Sequence, residues 1–277
     1  MKSMQTNPYV FNGAHGDPIQ KDGIGRQCNT AETVRLDVLV VQRQFVDTRT
    51  KAQRLISEGN ISVDGKVITK PSTKVSPLAH IVVDKGEDYV SRGAYKLLGA
   101  LQSFTQHGLP NIHGLRALDI GASTGGFSDV LLRHGASHVL ALDVGHGQLD
   151  SRISQDSRVT EMSGVNIRDV QSHDLPYRPE LIVSDVSFIS LRLVLPVVAR
   201  IANYPSHIIM LIKPQFEVGK GHLGKNGVVD DANLRQQAVD DVLQCAQECG
   251  MQIRAVIDSP IAGMHGNAEY LMYAYLA

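Results

Sequence analysis

Apolar positions along this chain follow two rhythms. From residue 35 to 84 they come in short, closely punctuated groups. Leu36, Val38, Leu39 and Val40 with Phe45 predict one short helix. Asp47 or Thr48 can cap a second helix running to about Ser57, with Ala52, Leu55 and Ile56 on its buried face and Gly59 ending it. "NISVDGKVIT" reads as two strands around Asp64-Gly65, a strong hairpin-turn pair. A further strand is expected from His80 to Asp84. Together these make a small α+β module.

From Arg92 the rhythm changes to strands alternating with helices. Strands are predicted at Leu115–Ile120, Val139–Asp143, Leu181–Asp185, Ile208–Lys213 and Ile253–Asp258, with a third strand before Gly164. Helices are predicted at Tyr95–Ser103, Gly125–His134, Leu191–Ala202 and Asp231–Cys249. Such alternation predicts an α/β domain, a mostly parallel sheet covered on both faces. The last strand, Tyr270–Leu276, has no helix before it and is expected to run antiparallel. That pattern fits a seven-stranded, Rossmann-like class I methyltransferase sheet better than a plain dinucleotide fold. The expected division is 1–34 as a disordered extension rich in Gly, Asn, Gln and Asp, 35–84 as the small module, 85–91 as a linker and 92–277 as the α/β domain.

Charge sharpens this division. The chain has 277 residues and a net charge of -1. Residues 35–74 alone hold eight Lys or Arg against four Asp or Glu. A small basic module beside a mildly acidic one points to phosphate contacts at the first. Arg35, Arg49, Lys51, Arg54, Lys66 and Lys70 are the candidate RNA-binding residues, with Lys74 near them. The three cysteines, Cys28, Cys245 and Cys249, have no metal-ligand pattern, so no metal is expected and packing is the default role of the last two. No signal peptide or membrane-spanning stretch is evident, which predicts a cytoplasmic protein, and a monomer is the default.

Two chemistries compete at "LDIGASTGGF". Gly121-Ala122-Ser123-Thr124-Gly125 fits the nucleophile elbow of a hydrolase, and Asp258 and His265 follow in the required order. That elbow normally lies mid-sheet, whereas this one closes the domain's first strand. It also leaves Gly126 and the strand-end Asp143 without a role. The second reading is a turn that holds a nucleotide-like cofactor at the strand tips. Asp119, Gly121, Ser123, Thr124, Gly125, Gly126 and Phe127 would then form the turn, with the glycines letting a ligand approach the backbone, and Asp143 would accept the ribose hydroxyls. The glycines do not match G-x-G-x-x-G, so S-adenosylmethionine suits the turn better than a dinucleotide. Asn166 is placed near the adenine, or simply caps a turn.

The methyl acceptor is read by elimination. The strand-tip stretch "SDVSF" lacks the prolines of an amino-methylating turn, and no cysteine stands at a strand tip. A hydroxyl such as a ribose 2′-OH remains, and it needs help to lose its proton. Lys96, Asp185, Lys213 and Glu269 stand at strand ends or just before the sheet. An ordinary lysine is protonated at neutral pH; a second lysine and burial favour its neutral form, and carboxylates oppose this. The expected arrangement has Lys213 deprotonating the hydroxyl, Asp185 tuning it, and Lys96 and Glu269 positioning the ribose and holding Lys213. Asp185 also belongs to the candidate cofactor set. Residues 218–229, Gly-rich and basic, read equally as a lid that meets RNA or as a long loop.

Two resemblances join these readings. "RLDVLVVQRQFVDTRTKAQRLISEGNISVDGKVITKPSTKV" resembles an S4 RNA-binding domain. Lys96, Asp185, Lys213 and Glu269 resemble the Lys-Asp-Lys-Glu tetrad of FtsJ-like ribose 2′-O-methyltransferases. "YVSRGAYKL", "ALDIGASTGGFSDVLL", "LDVGHGQL", "SDVSFISL", "IKPQFEVGK" and "GNAEYL" extend the resemblance to the TlyA family, the so-called hemolysin A proteins. It implies S-adenosylmethionine-dependent 2′-O-methylation of ribosomal RNA, commonly at cytidine, on one or both subunits. A non-catalytic assembly factor and a cytolysin are the competing classes. An intact tetrad argues against the first, and the lack of a membrane span or secretion signal against the second.

Overall fold

The computed structural model describes residues 33–83 and 88–277. Residues 1–32 and 84–87, which hold most of the expected extension and part of the expected linker, lie outside the described residues. The chain divides into two compact units between residues 86 and 87.

The first unit contains β1 (Val34–Arg35), α1 (Leu36–Gln42), α2 (Arg49–Ser57), β2 (Ile61–Val63), β3 (Lys66–Val67), β4 (Lys74–Val75) and β5 (Ile81–Val83). Thr48 caps α2 by accepting the Lys51 N–H at 3.2 Å, and Gly59 leaves it at φ +79°. Asp64 and Gly65 both have positive φ and join β2 to β3, which pair Val63 with Lys66. Two positive φ values in a row are what a type I′ hairpin turn requires. β2 also pairs with β5, and β1 pairs with β4. The two-residue strands β1 and β4 carry too few positions for any periodicity to be read. Leu36, Val40, Ala52, Ile56 and Ile61 are fully buried at the centre of this unit.

The second unit contains α3 (Ala94–Phe104), β6 (Arg116–Ile120), α4 (Gly126–Arg133), β7 (His138–Asp143), α5 (Ser151–Ser154), β8 (Val159–Ser163) and β9 (Leu181–Ser184). α6 (Leu191–Ile201), β10 (Ser206–Ile212), α7 (Pro214–Glu217), α8 (Ala232–Glu248), β11 (Gln252–Asp258) and β12 (Tyr270–Leu276) complete it. The seven-stranded sheet has the order β11-β12-β10-β9-β6-β7-β8. β12 runs antiparallel to both neighbours, as its missing crossover helix predicts. The other pairs are parallel.

Alternate residues of each inner strand feed opposite faces. Leu118 and Ile120 of β6 join the core under α6 and α8, while Ala117 joins the core under α3 and α4. Asp119 shares the α4 face, and this parity explains its partner below. Residues 88–91, expected as linker, pack on this unit. Tyr89 is buried, the Arg133 guanidinium lies 4.3 Å from its ring centroid, and the Val90 N–H donates to Asp129 at 3.0 Å. The chain runs from β6 outward to β8 and returns to β9 on the other side of β6. The switch point of the sheet therefore lies between β6 and β9, where ligands bind in open α/β sheets.

Candidate active site

The turn after β6 is pinned to the tip of β7. Gly121 and Ala122 donate their N–H groups to the Leu142 carbonyl at 2.8 and 3.1 Å. The Asp143 carboxylate accepts the N–H of Ser123 at 2.9 Å and of Gly145 at 2.8 Å. Gly121 adopts φ +82°, and a Cβ there would stand 2.8 Å from the Asp185 carbonyl oxygen. At Gly125, φ +93°, a Cβ would stand 2.9 Å from Leu149. At Gly126 it would overlap the Ser91 hydroxyl. Each of the three thus packs where a larger side chain would collide with the protein itself, while Gly121 and Gly126 still face a cavity.

Two cavities open on this turn. One, of about 690 Å³, lies among the tips of β6 and β7, residues 165–168 and the turn after β9, and Gly121, Ser123, Asp143, Asn166 and Asp185 line it. The other, of about 290 Å³, is lined by Thr124, Gly126 and Phe127 and by all of Lys96, Asp185, Lys213 and Glu269. The cavities share Gly121, Ser123, Asp185 and Ser187. Asp119 and Gly125 line neither. Asp119 is fully buried behind the turn, where one oxygen accepts the Ser128 hydroxyl at 2.7 Å and Oδ1 has no partner. Burial pushes its carboxyl up to about 7; the Ser128 bond opposes this, and the charges of Asp185 and Asp143 add to it. The Asn166 side-chain Oδ1 caps a turn by accepting the Arg168 N–H at 3.1 Å, and the residue also lines the larger cavity.

Four element ends deliver the candidate catalytic groups. Lys96 sits in the first turn of α3, Asp185 just after β9, Lys213 between β10 and α7, and Glu269 just before β12. Their charges alternate along a chain of ion pairs. Glu269 Oε2 lies 2.7 Å from Lys96 Nζ, Lys96 Nζ 3.5 Å from Asp185 Oδ2, and Asp185 Oδ1 2.6 Å from Lys213 Nζ. Lys96, Lys213 and Glu269 are buried, so each needs the partner it has. Lys213 Nζ also donates to Ser187 Oγ at 2.9 Å. Glu269 is expected from the sequence to hold Lys213, but its partner is Lys96, and Lys213 is held by Asp185 and Ser187.

Sequence reasoning passes over Ser187 and Glu217. Buried Glu217 accepts the Leu191 N–H at 2.8 Å and the Ser190 hydroxyl, and so ties α7 to the start of α6. Both residues stand inside quoted motifs, "SDVSF" and "IKPQFE". The available signal was their nearness to Asp185 and Lys213.

The hydrolase constellation does not form. Asp258 ends the edge strand β11, four strands from β6 and about 19 Å away at ordinary strand spacing. Cys245 on α8 and Cys249 at its end are half-buried against the core, and burial pushes the Cys245 thiol up to about 11. Among the described residues no His, Cys, Asp and Glu group could hold a metal, and no helix is long and apolar enough to cross a membrane.

On the first unit the candidate RNA-binding set divides. Lys66 and Lys70 are exposed and make no described side-chain contact. Arg35 and Arg49 instead place their guanidinium groups 2.9 and 3.0 Å from the buried Asp37, which also accepts from Gln53. The Arg35 bond holds the Asp37 carboxyl far below the usual range against the cost of burial. Arg54 is half-buried, with its Nε enclosed and without a partner. Lys51 is half-buried too, in the first turn of α2.

Comparison with known proteins agrees with this architecture. The FtsJ-like methyltransferase family model matches residues 89–275, and the S4 domain model matches 34–80. The 16S/23S rRNA (cytidine-2′-O)-methyltransferase TlyA of Mycobacterium tuberculosis is 43% identical over 88% of this chain and 90% of its own. The chain belongs to the TlyA family of FtsJ-like methyltransferases. Hemolysin A of Brachyspira hyodysenteriae is 38% identical over 87% of this chain and 99% of its own. The solved structure of a Streptococcus thermophilus protein described as a hemolysin shares 35% identity over 90% of each chain, with a TM-score of 0.68.

Proposed function

We propose that the protein transfers a methyl group from S-adenosylmethionine to the 2′-OH of a cytidine in ribosomal RNA. The observation that carries this reading is the alternating chain Glu269–Lys96–Asp185–Lys213 at a cavity that adjoins a second, larger one. A transferase needs two adjoining sites, one for the donor and one for the acceptor.

The residues of the larger cavity fit the donor. Each oxygen of Asp143 takes one backbone N–H, and each keeps a lone pair for a ribose hydroxyl. Gly121 and Ser123 bound the junction, and Asn166 stands where a base edge can meet a polar group. When bound, the sulfonium supplies a methyl group already activated for displacement. The protein's part is to fix the acceptor and take its proton. Asp185 is shared between two lysines, so it stays paired with Lys96 once Lys213 has released a proton to solvent and become neutral. Lys213 then accepts the hydroxyl proton, a contribution of about 10² to 10⁴-fold for general bases. Lys96, held by Glu269, gives the ribose a fixed cationic donor. Positioning of this kind can supply several further kcal/mol.

Ribosomal RNA as substrate is supported by the S4 match and by the names of the relatives. The Mycobacterium tuberculosis enzyme is named for 16S and 23S rRNA, and the TlyA of Campylobacter jejuni, 32% identical over 87% of this chain and 98% of its own, for 23S rRNA. We place the reaction in the cytoplasm, where ribosomal RNA is found, with a monomer as the acting form. Incubation with labelled donor and purified unmodified subunits, followed by nucleoside mass analysis, tests the reading. 2′-O-methylcytidine from either subunit supports it; a base-methylated product, or no transfer, contradicts it.

A further inference from the structure

We propose that Ser187 is a positioning residue that sets the direction of the Lys213 lone pair. The inference rests on the reading of Lys213 as the general base and goes beyond it by explaining why the base points at its substrate.

Tetrahedral valence at nitrogen sets the geometry. A neutral lysine amine carries two N–H bonds and one lone pair on nitrogen, besides its bond to carbon. Lys213 Nζ has two acceptors in the structure, Asp185 Oδ1 at 2.6 Å and Ser187 Oγ at 2.9 Å. With an N–H committed to each, the fourth direction is left to the lone pair. Lys213, Asp185 and Ser187 all line the smaller cavity, so this direction is the one a ribose hydroxyl there can use. Asp185 alone would fix one N–H and leave the lone pair and the second N–H to exchange between the two remaining positions, so the base would aim correctly only part of the time. The second acceptor removes that freedom. When the hydroxyl proton moves to Nζ, the ammonium keeps both existing bonds and gains a third N–H directed at the ribose oxygen.

Ser187 is suited to this and has no other evident duty. It sits two residues beyond Asp185 on the same turn, so one backbone segment fixes both acceptors. Its side chain is exposed, so removing the hydroxyl leaves no cavity in the core. It also lines the larger cavity and therefore stands where donor and acceptor sites meet.

The test compares Ser187→Ala, Ser187→Thr, Lys213→Ala and the Ser187→Ala/Lys213→Ala double variant in the full chain. Single-turnover methyl transfer to purified subunits is measured at saturating subunit and donor, with donor affinity measured separately. Ser187→Ala is expected to slow transfer about 10- to 100-fold at saturation while leaving donor affinity and subunit KM within about twofold. Ser187→Thr, which keeps the hydroxyl, is expected to restore transfer to within a few-fold. Adding Ser187→Ala to Lys213→Ala is expected to cost nothing more, because Ser187 acts through that lysine. Normal transfer by Ser187→Ala beside an inactive Lys213→Ala overturns this inference alone. So does a slowing matched by weakened donor affinity. Near-normal transfer by Lys213→Ala overturns both this inference and the base assignment under it.

Discussion

Asp119 and Asp143 are carboxylates at neighbouring strand ends, and their surroundings give them opposite work. Asp143 is satisfied by two N–H groups and ties two loops together. Asp119 is sealed from water with one bond from Ser128, and burial pushes its carboxyl up to about 7. The folded protein therefore keeps this proton up to about pH 7, whereas the unfolded chain releases it near pH 4. Stability from this group is complete below about pH 4 and is lost as pH rises towards 7, a swing of order 4 kcal/mol. Asp119→Asn, which keeps an acceptor for Ser128, is expected to flatten unfolding free energy between those pH values. Urea titrations of both proteins at several pH values check this, and equal slopes would contradict it. Asp119 was legible in the sequence as a strand-tip acid, but its seclusion from both cavities was not. That seclusion is tertiary, with Ser128 of α4, nine residues on, meeting the carboxylate behind the turn.

Among the elements, strand ends make the site and turns make the strand ends precise. The left-handed Gly121 brings the turn after β6 against the Asp185 carbonyl. Gly121→Ala meets both an unfavourable φ and that oxygen, so it is expected to cost about 2 kcal/mol or more and to slow transfer by shifting Asp185. Thermal unfolding and a transfer assay check it; wild-type values in both would contradict the role. The sheet itself was readable because its inner strands are apolar runs buried on both faces. β8 could be expected only as a third strand before Gly164, without bounds, because "VTEMS" is an edge strand with no buried position and no apolar run. Asp185 and Lys213 stood out because each ends an apolar run, and the resemblance to FtsJ-like methyltransferases joined Lys96 and Glu269 to them. The wiring of the tetrad could not be read, since Glu269 reaches Lys96 only after strands distant in sequence have become neighbours. Glu217 was missed for the same reason: its partners Ser190 and Leu191 lie 27 and 26 residues away.

The whole molecule joins a basic unit of modest size to a catalytic one, and the charge asymmetry that marks this is visible in the sequence. What composition could not separate is cations that fold the unit from cations free for a ligand. Arg35 and Arg49 are drawn onto buried Asp37, while Lys66 and Lys70 remain open to phosphate. The Lys66→Glu/Lys70→Glu variant is expected to weaken subunit binding and to reduce its salt dependence by about one unit of log–log slope for each phosphate that is no longer neutralised. Donor affinity should not change. Filter binding over a salt series reads this directly, and an unaltered slope would move the RNA-binding face elsewhere on the unit.

In the proposed reaction Lys213 takes the ribose proton at a site assembled by the other three tetrad residues. Single-turnover methyl transfer to unmodified subunits, wild type beside Lys213→Ala with donor binding measured in both, tests it most directly. The wild type is expected to yield 2′-O-methylcytidine, and the variant a rate about 10² to 10⁴-fold lower with equal donor affinity. Transfer by Lys213→Ala at a near-normal rate would contradict it.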